Sequence, residues 1–151
     1  MKYRVRRGDQ LNKEELQELK NMSTSLDKEM QNLYVKSGLP PEDNSWTPPA
    51  DQRTIVFPIV EEKIIGFLEY SAARNLVDDE FFFSQVYIKP EHRRKGYAKS
   101  LLIETIRHIK EVTGLKNILI LGSIVSGNTA SQKLFDSMGR IVYSDNFYFK
   151  A

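Results

Sequence analysis

The order of apolar and polar residues divides the chain into short elements of two kinds. Lys2–Arg7 alternates, with Tyr3, Val5 and Arg7 on one side and Lys2, Arg4 and Arg6 on the other, the period of a strand. Asn12 followed by Glu15 has the spacing of a capping box, and Leu11 and Leu16 are placed as a hydrophobic staple. A helix is therefore predicted to open there, burying Leu16, Leu19 and Met22. A second helix is predicted from about Ser25, with Leu26, Met30, Leu33 and Tyr34 on one face and Gly38 and Pro40 at its end. Leu39–Gln52 has four prolines and no periodicity, which predicts a long loop with Trp46 inside it, packed on the core or lining a pocket.

Thr54–Val60 and Lys63–Ser71 are apolar and predict a hairpin turning at Glu61-Glu62. Asp78-Asp79-Glu80 marks another turn. Glu80–Ile88 is aromatic and β-branched almost throughout and predicts a central strand buried on both faces. Counting in twos back from Ile88 places Phe82 and Ser84 on the face of Val86. After Pro90, Ala98, Leu101, Leu102, Thr105, Ile109 and Val112 keep helical spacing up to Gly114. Asn117–Ile124 predicts a buried strand, Thr129–Met138 a short helix, and Ile141–Ser144 with Phe147–Lys150 a terminal hairpin. The order is β-α-α-β-β-β-α-β-α-β-β. Hairpins early and crossovers late imply an α/β fold, a mixed sheet with helices on both faces, in a single domain over residues 1–151.

Composition narrows the chemistry. The 151 residues are 40% hydrophobic and 28% charged, as in a soluble globular domain. A net charge of +2 gives no bulk field for nucleic acid. Without cysteine, disulfides and thiolate chemistry are excluded, and two histidines do not make a zinc site, so no metal is expected. No apolar run approaches a membrane span, and the basic N-terminus is not followed by the apolar stretch of a signal peptide. The expected location is the cytoplasm.

What stands out is local. In His92–Leu102, HRRKGYAKSLL, Arg93, Arg94 and Lys95 run into Gly96 at the predicted start of a helix. The first N–H groups of a helix lack internal partners and lie at the positive end of its dipole, which favours a phosphate. Gly96 lets ligand oxygens approach the backbone, and Ala98 keeps the next turn narrow. The spacing fits neither the P-loop nor the three-glycine dinucleotide fingerprint.

These residues resemble the GNAT superfamily of N-acetyltransferases. Its first signature, an apolar-x-Pro strand end followed by Gln/Arg-x-x-Gly-x-Gly/Ala, is matched by Ile88-Lys89-Pro90 and Arg93-Arg94-Lys95-Gly96-Tyr97-Ala98. Its second, Asn-x-x-Ala-x-x-Leu-Tyr with a later Gly-Phe, is matched by Asn128 to Phe135 and then Gly139-Arg140, with Phe in place of Tyr and Arg in place of Phe. The resemblance implies that the anion is the pyrophosphate of acetyl-CoA, held by backbone N–H groups from about Arg94 to Ala98. It implies that the backbone of Val86, Tyr87 and Ile88 splays from its neighbour and binds the pantetheine arm. Asn128 would contact that arm or cap its own helix, and Lys99 and Lys133 would reach the adenosine phosphates or stay solvated.

The implied reaction is attack of a primary amine, on a small molecule or a protein, on the thioester. The family's usual strand glutamate is missing, which leaves Glu80 at the strand start, or Glu69 on the neighbouring strand, to act as base through water, with Ser84 nearby. The family's usual acid is replaced by Phe135, which has no proton to give; Ser131, Tyr143 and Tyr148 are the candidates in its place. The acceptor would be shaped by Leu26–Trp46 and the terminal hairpin, with a homodimer left open. The second reading is a GNAT-fold acyl-CoA sensor or scaffold that has lost turnover.

Overall fold

The computed structural model describes residues 1–38, 40, 46–72, 79–123, 128–143 and 146–151, with the backbone alone for Val142, Tyr143 and Asn146. In chain order the elements are β1 (Lys2–Arg7), α1 (Lys13–Lys36), β2 (Thr54–Val60), β3 (Lys63–Ile64), β4 (Gly66–Ala72), β5 (Glu80–Ile88), α2 (Tyr97–Thr113), β6 (Leu119–Ser123), α3 (Thr129–Ser137), β7 (Ile141–Tyr143) and β8 (Asn146–Lys150). Among the described residues the strands form one sheet, ordered β1-β2-β4-β5-β6-β8-β7, with β3 paired to β2. The β5–β6 pair is parallel and the other pairs are antiparallel, so the sheet is mixed as expected.

Where two helices were predicted near the N-terminus there is one, 24 residues long. It opens as read: Asn12 Oδ1 accepts from the Glu15 N–H at 2.8 Å, and the Glu15 carboxylate accepts from the Asn12 N–H at 3.1 Å. Ser23-Thr24-Ser25, where the second helix was expected to start, continues the ladder without interruption. The Thr24 hydroxyl donates to the Lys20 carbonyl at 2.8 Å. Ser25 lies near the Tyr87 hydroxyl at the helix–sheet contact. The hairpin turn at Glu61-Glu62 is present, with both residues left-handed (φ 50° and 66°), the two-residue turn whose twist matches its strands.

Alternation sorts each strand between two cores. Ile55, Phe57, Phe67 and Tyr87 meet Leu19 and Met22 of α1. Val56, Leu68, Tyr70, Phe81, Phe83 and Ile88 meet α2 and Phe135 of α3. β5 changes phase between these sets. Glu69 pairs with Gln85, but Tyr70 pairs with Phe83, so Ser84 is an extra residue, a bulge. The faces assigned by counting in twos are therefore reversed below Ser84: Phe81 and Phe83, not Phe82, share the core of Ile88. Nor is β5 buried on both faces. Phe82 is 37% exposed, and Gln85 is exposed on the α1 side.

Glu15 joins α1 to the first strand. Its side chain is buried, and it accepts from Arg4 Nη1 at 3.0 Å and Arg6 Nε at 3.3 Å. Burial alone would push its carboxyl up. The Asn12 N–H and the two guanidinium groups outweigh that and hold it below its ordinary value. A depressed folded value means that Glu15 stabilises fully above the ordinary carboxylate range, about 4.3. That stability is lost as pH falls from there through the folded value. Glu15→Gln should cost about 1–3 kcal/mol at neutral pH. The gap to wild type should narrow in denaturant titrations as the medium is acidified below about pH 4; a gap independent of pH would refute the ion-pair account.

Candidate functional site

β5 and β6 pair only from Glu80↔Leu119 to Phe82↔Leu121. Beyond that β6 stays with β8 as far as Ser123↔Asn146, and β5 stays with β4 as far as Gly66↔Ile88. The two strands part. On the β4 side the Lys89 N–H donates to the Ile65 carbonyl at 2.8 Å, which makes Gly66↔Ile88 and Leu68↔Val86 the pairs without mutual hydrogen bonds. The N–H and C=O groups of Val86 and Ile88 consequently face the gap. Arg93 Nε takes the Ile88 carbonyl at 2.7 Å, so part of this edge is already satisfied.

Above the gap lies the basic loop. Pro90–His92 makes a 3-10 turn, and Arg94 (φ 64°) and Gly96 (φ 79°) are left-handed. The α2 ladder begins with Ser100 N–H to Gly96 C=O at 3.1 Å, leaving the N–H groups of Tyr97, Ala98 and Lys99 outside it. A side chain at Gly96 would meet no protein atom within 4 Å. Its backbone angle favours glycine, and the space beside it is open to a ligand.

Loop and gap share one groove of about 560 Å³. The structure brings Val86, Tyr87, Ile88, Arg93, Arg94, Gly96, Tyr97, Ala98, Lys99, Asn128 and Ser131 to its walls, facing Leu26, Met30 and Leu33 of α1. Lys95 and Lys133 are exposed and line none of the clefts described here. Asn128 caps α3, accepting from the Ser131 N–H at 3.2 Å, and also faces the groove.

The groove runs into a smaller cleft of about 280 Å³ around the bulge, where Ser84, Ser131 and Phe135 meet. Phe135 is 6% exposed and its ring lies 4.4 Å from that of Phe147. Phe147 in turn fits against Gly122, where an added Cβ would come within 2.6 Å of the ring. This aromatic stack fills the fork between β5 and β6. Past the bulge a wider cleft of about 890 Å³ opens between α1, the stretch from Trp46 to Arg53, and Glu69 and Gln85 of β4 and β5. Trp46 does both jobs expected of it: it packs on the α1 core and lines this cleft, with the Lys20 ammonium 5.9 Å from the ring centre.

At the junction of the two clefts stands a polar cluster. The Ser84 hydroxyl donates to Glu69 Oε1 at 2.8 Å and lies 3.2 Å from the Glu69 carbonyl. Arg53 Nη1 pairs with the same carboxylate and reaches Ser84 Oγ at 3.3 Å. Glu80 lines none of the three clefts, so it is not gathered with Ser84 and Ser131. The Tyr143 side chain and Asp78 lie outside the described residues. Asp27, within the Leu26–Trp46 stretch expected to shape the acceptor site, and Gln85, which the sequence did not single out, line both clefts beside the bulge. In one continuous helix, Ser23, Asp27, Met30 and Tyr34 form a stripe at spacings of four and three, all facing the bulge. Splitting the helix at Ser25 hid it.

No match was found among curated proteins. The family model described as the acetyltransferase (GNAT) family matches residues 16–139. Among solved structures, a chimera of the spermidine N-acetyltransferase SpeG of Vibrio cholerae with hSSAT superposes with a TM-score of 0.64 at 17% identity, over 99% of this chain and 96% of that one. An acyl-CoA N-acyltransferase of Pseudomonas aeruginosa gives 0.66 at 10% identity, over 99% and 97%. YhhK of Escherichia coli, bound to coenzyme A, gives 0.57 at 13% identity, over 98% of each chain. At these identities the structures speak for the fold, and the match over residues 16–139 for the family: the chain belongs to the GNAT acetyltransferases.

Proposed function

We propose that the protein transfers an acetyl group from acetyl-CoA to a primary amine, of a small molecule or of a protein, by direct attack of the amine on the thioester. The observation that carries this reading is the parted strand pair. It offers an amide-like edge to a pantetheine arm, leads at one end to a phosphate-binding loop, and at the other to a cleft for an acceptor.

The thioester would lie at the bulge. There the ammonium first loses a proton to free its lone pair, the amine nitrogen bonds to the acyl carbon, the C–S bond breaks, and the nitrogen loses a second proton to solvent. Glu69 is the carboxylate best connected to that point. Ser84, hydrogen-bonded to it, would accept the amine proton as its own passes to Glu69, or the two would hold a water that does so. Asp27, facing the same point from α1, is placed to hold the ammonium form before it loses that proton. Of the two carboxylates expected as base, Glu69 and Glu80, the cleft lining favours Glu69. The leaving thiolate has Ser131 as its nearest expected donor, since the Phe135 ring has none. A thiol's ordinary value of about 8.5 makes an unassisted thiolate a tolerable leaving group. Phe135 is also what favours a second reading, an acyl-CoA sensor without turnover.

Gly96→Val should weaken acetyl-CoA binding by about tenfold or more, the worth of one charge-assisted hydrogen bond. The strain of a side chain at this φ should lower stability by about 1–2 kcal/mol. Arg94→Ala should weaken binding moderately and flatten its salt dependence. Calorimetry giving all three proteins one affinity would defeat the anion site. With a panel of amines and acetyl-CoA, release of free thiol should be seen for at least one amine and should fall on Glu69→Gln. Phe135→Tyr should raise turnover by up to about a hundredfold if thiolate protonation is limiting, and leave it unchanged if Ser131 already suffices. Binding without turnover in wild type and Phe135→Tyr alike would establish the sensor.

A further inference from the structure

Arg93 opens the basic loop, yet its guanidinium is committed to the protein. Nε donates to the Ile88 carbonyl at 2.7 Å. Nη2 donates to both carboxylate oxygens of Glu29, at 2.8 and 3.1 Å. The guanidinium carbon lies 5.2 Å from the centre of the Tyr87 ring. Tyr87 itself packs in the core that α1 makes with Leu19, Met22 and Leu26. Arg93 thus touches β5 and α1 at once, between residues 64 positions apart.

Glu29 needs explaining. It is a carboxylate on the wall of a groove whose other charged members, Arg93, Arg94 and Lys99, suit an anion. Were Arg93 to turn to a phosphate, Glu29 would be left facing that phosphate with its charge unanswered. Were Arg93 to stay, Glu29 is neutralised, and the α1 wall made by Leu26, Met30 and Leu33 is held against the groove. The second arrangement is the one observed. It also leaves Arg94, Lys99 and the α2 N–H groups for phosphate.

We propose that Glu29 and Arg93 form a clasp that positions α1 over the coenzyme arm, and that Arg93 is not a phosphate ligand. The proposal rests on the reading of the groove as the coenzyme A site. Glu29 is a positioning residue: it acts through Arg93 and the helix it holds. The same helix carries Asp27 to the acceptor side, so the clasp sets both halves of the site.

The test compares wild type with Glu29→Gln, Arg93→Ala and the double variant. Without ligand, amide hydrogen exchange over residues 27–36 should quicken about three- to tenfold in each single variant, and no further in the double, because partners in one contact are not additive. Exchange unchanged in the single variants would overturn the clasp. Acetyl-CoA and S-acetylpantetheine, which lacks phosphates, are then titrated. Each single variant should weaken both thioesters by one common factor, about three- to tenfold, with the double no weaker than either. Loss of acetyl-CoA affinity alone in Arg93→Ala, or a gain in Glu29→Gln, would overturn the proposal and make Arg93 a phosphate ligand. Wild type binding neither thioester would contradict the coenzyme reading, and the exchange measurement would still decide the clasp.

Discussion

The parting of β5 from β6 is the constraint on which the rest of the molecule turns. A sheet that opens in its middle exposes main-chain donors and acceptors in a half-buried place, and each unpaired group costs about 1–3 kcal/mol. Ending the β5–β6 pairing at Phe82↔Leu121 therefore needs support on every side. The Phe135–Phe147 stack over Gly122 wedges the fork from one face. α1 covers the other. Arg93 satisfies the Ile88 carbonyl at the rim. Among the described residues, what remains, the edge of Val86 and the Ile88 N–H, suits the amide pattern of the pantetheine arm proposed to lie there, and the opening that is costly to the free protein would become the source of binding.

The bulge and the long helix serve the same opening. Inserting Ser84 brings both halves of β5 into phase with α2 while presenting Ser84 and Gln85 to the clefts proposed for the acceptor. α1 is then held over the sheet by three carboxylates along its length: Glu15 to Arg4 and Arg6, Glu18 to Lys89, and Glu29 to Arg93. Of these, Glu15 is buried and bears on stability. Glu18 and Glu29 are partly exposed, pair worth little in isolation, and bear on where the helix lies.

Much of this is legible in the sequence because it is local. The Asn12–Glu15 box, the β2–β3 turn, the Gly114 end of α2 and the loop before Gly96 are set by residues within a few positions of one another, and each stands where it was expected. What escaped depends on distant partners. Ser23-Thr24-Ser25 continues a helix whose flanking Leu19, Met22 and Leu26 pack on the sheet. The bulge shifts β5 by one residue, a change that period-two counting has no means to register. The choice between Glu69 and Glu80, both candidates from the sequence, turns on β4 lying beside Ser84, and Arg93, so plainly part of an anion motif, is claimed by a glutamate 64 residues away.

The account stands or falls on whether the gap between β5 and β6 is where coenzyme A lies. The most direct measurement is residue-resolved amide hydrogen exchange by NMR, with and without saturating coenzyme A. Exchange of the N–H groups of Val86, Ile88, Tyr97, Ala98 and Lys99 should slow strongly on binding, while Tyr87, bonded to β4 in either state, should change little. Binding that left Val86 and Ile88 unchanged while protecting amides elsewhere in the sheet would contradict it.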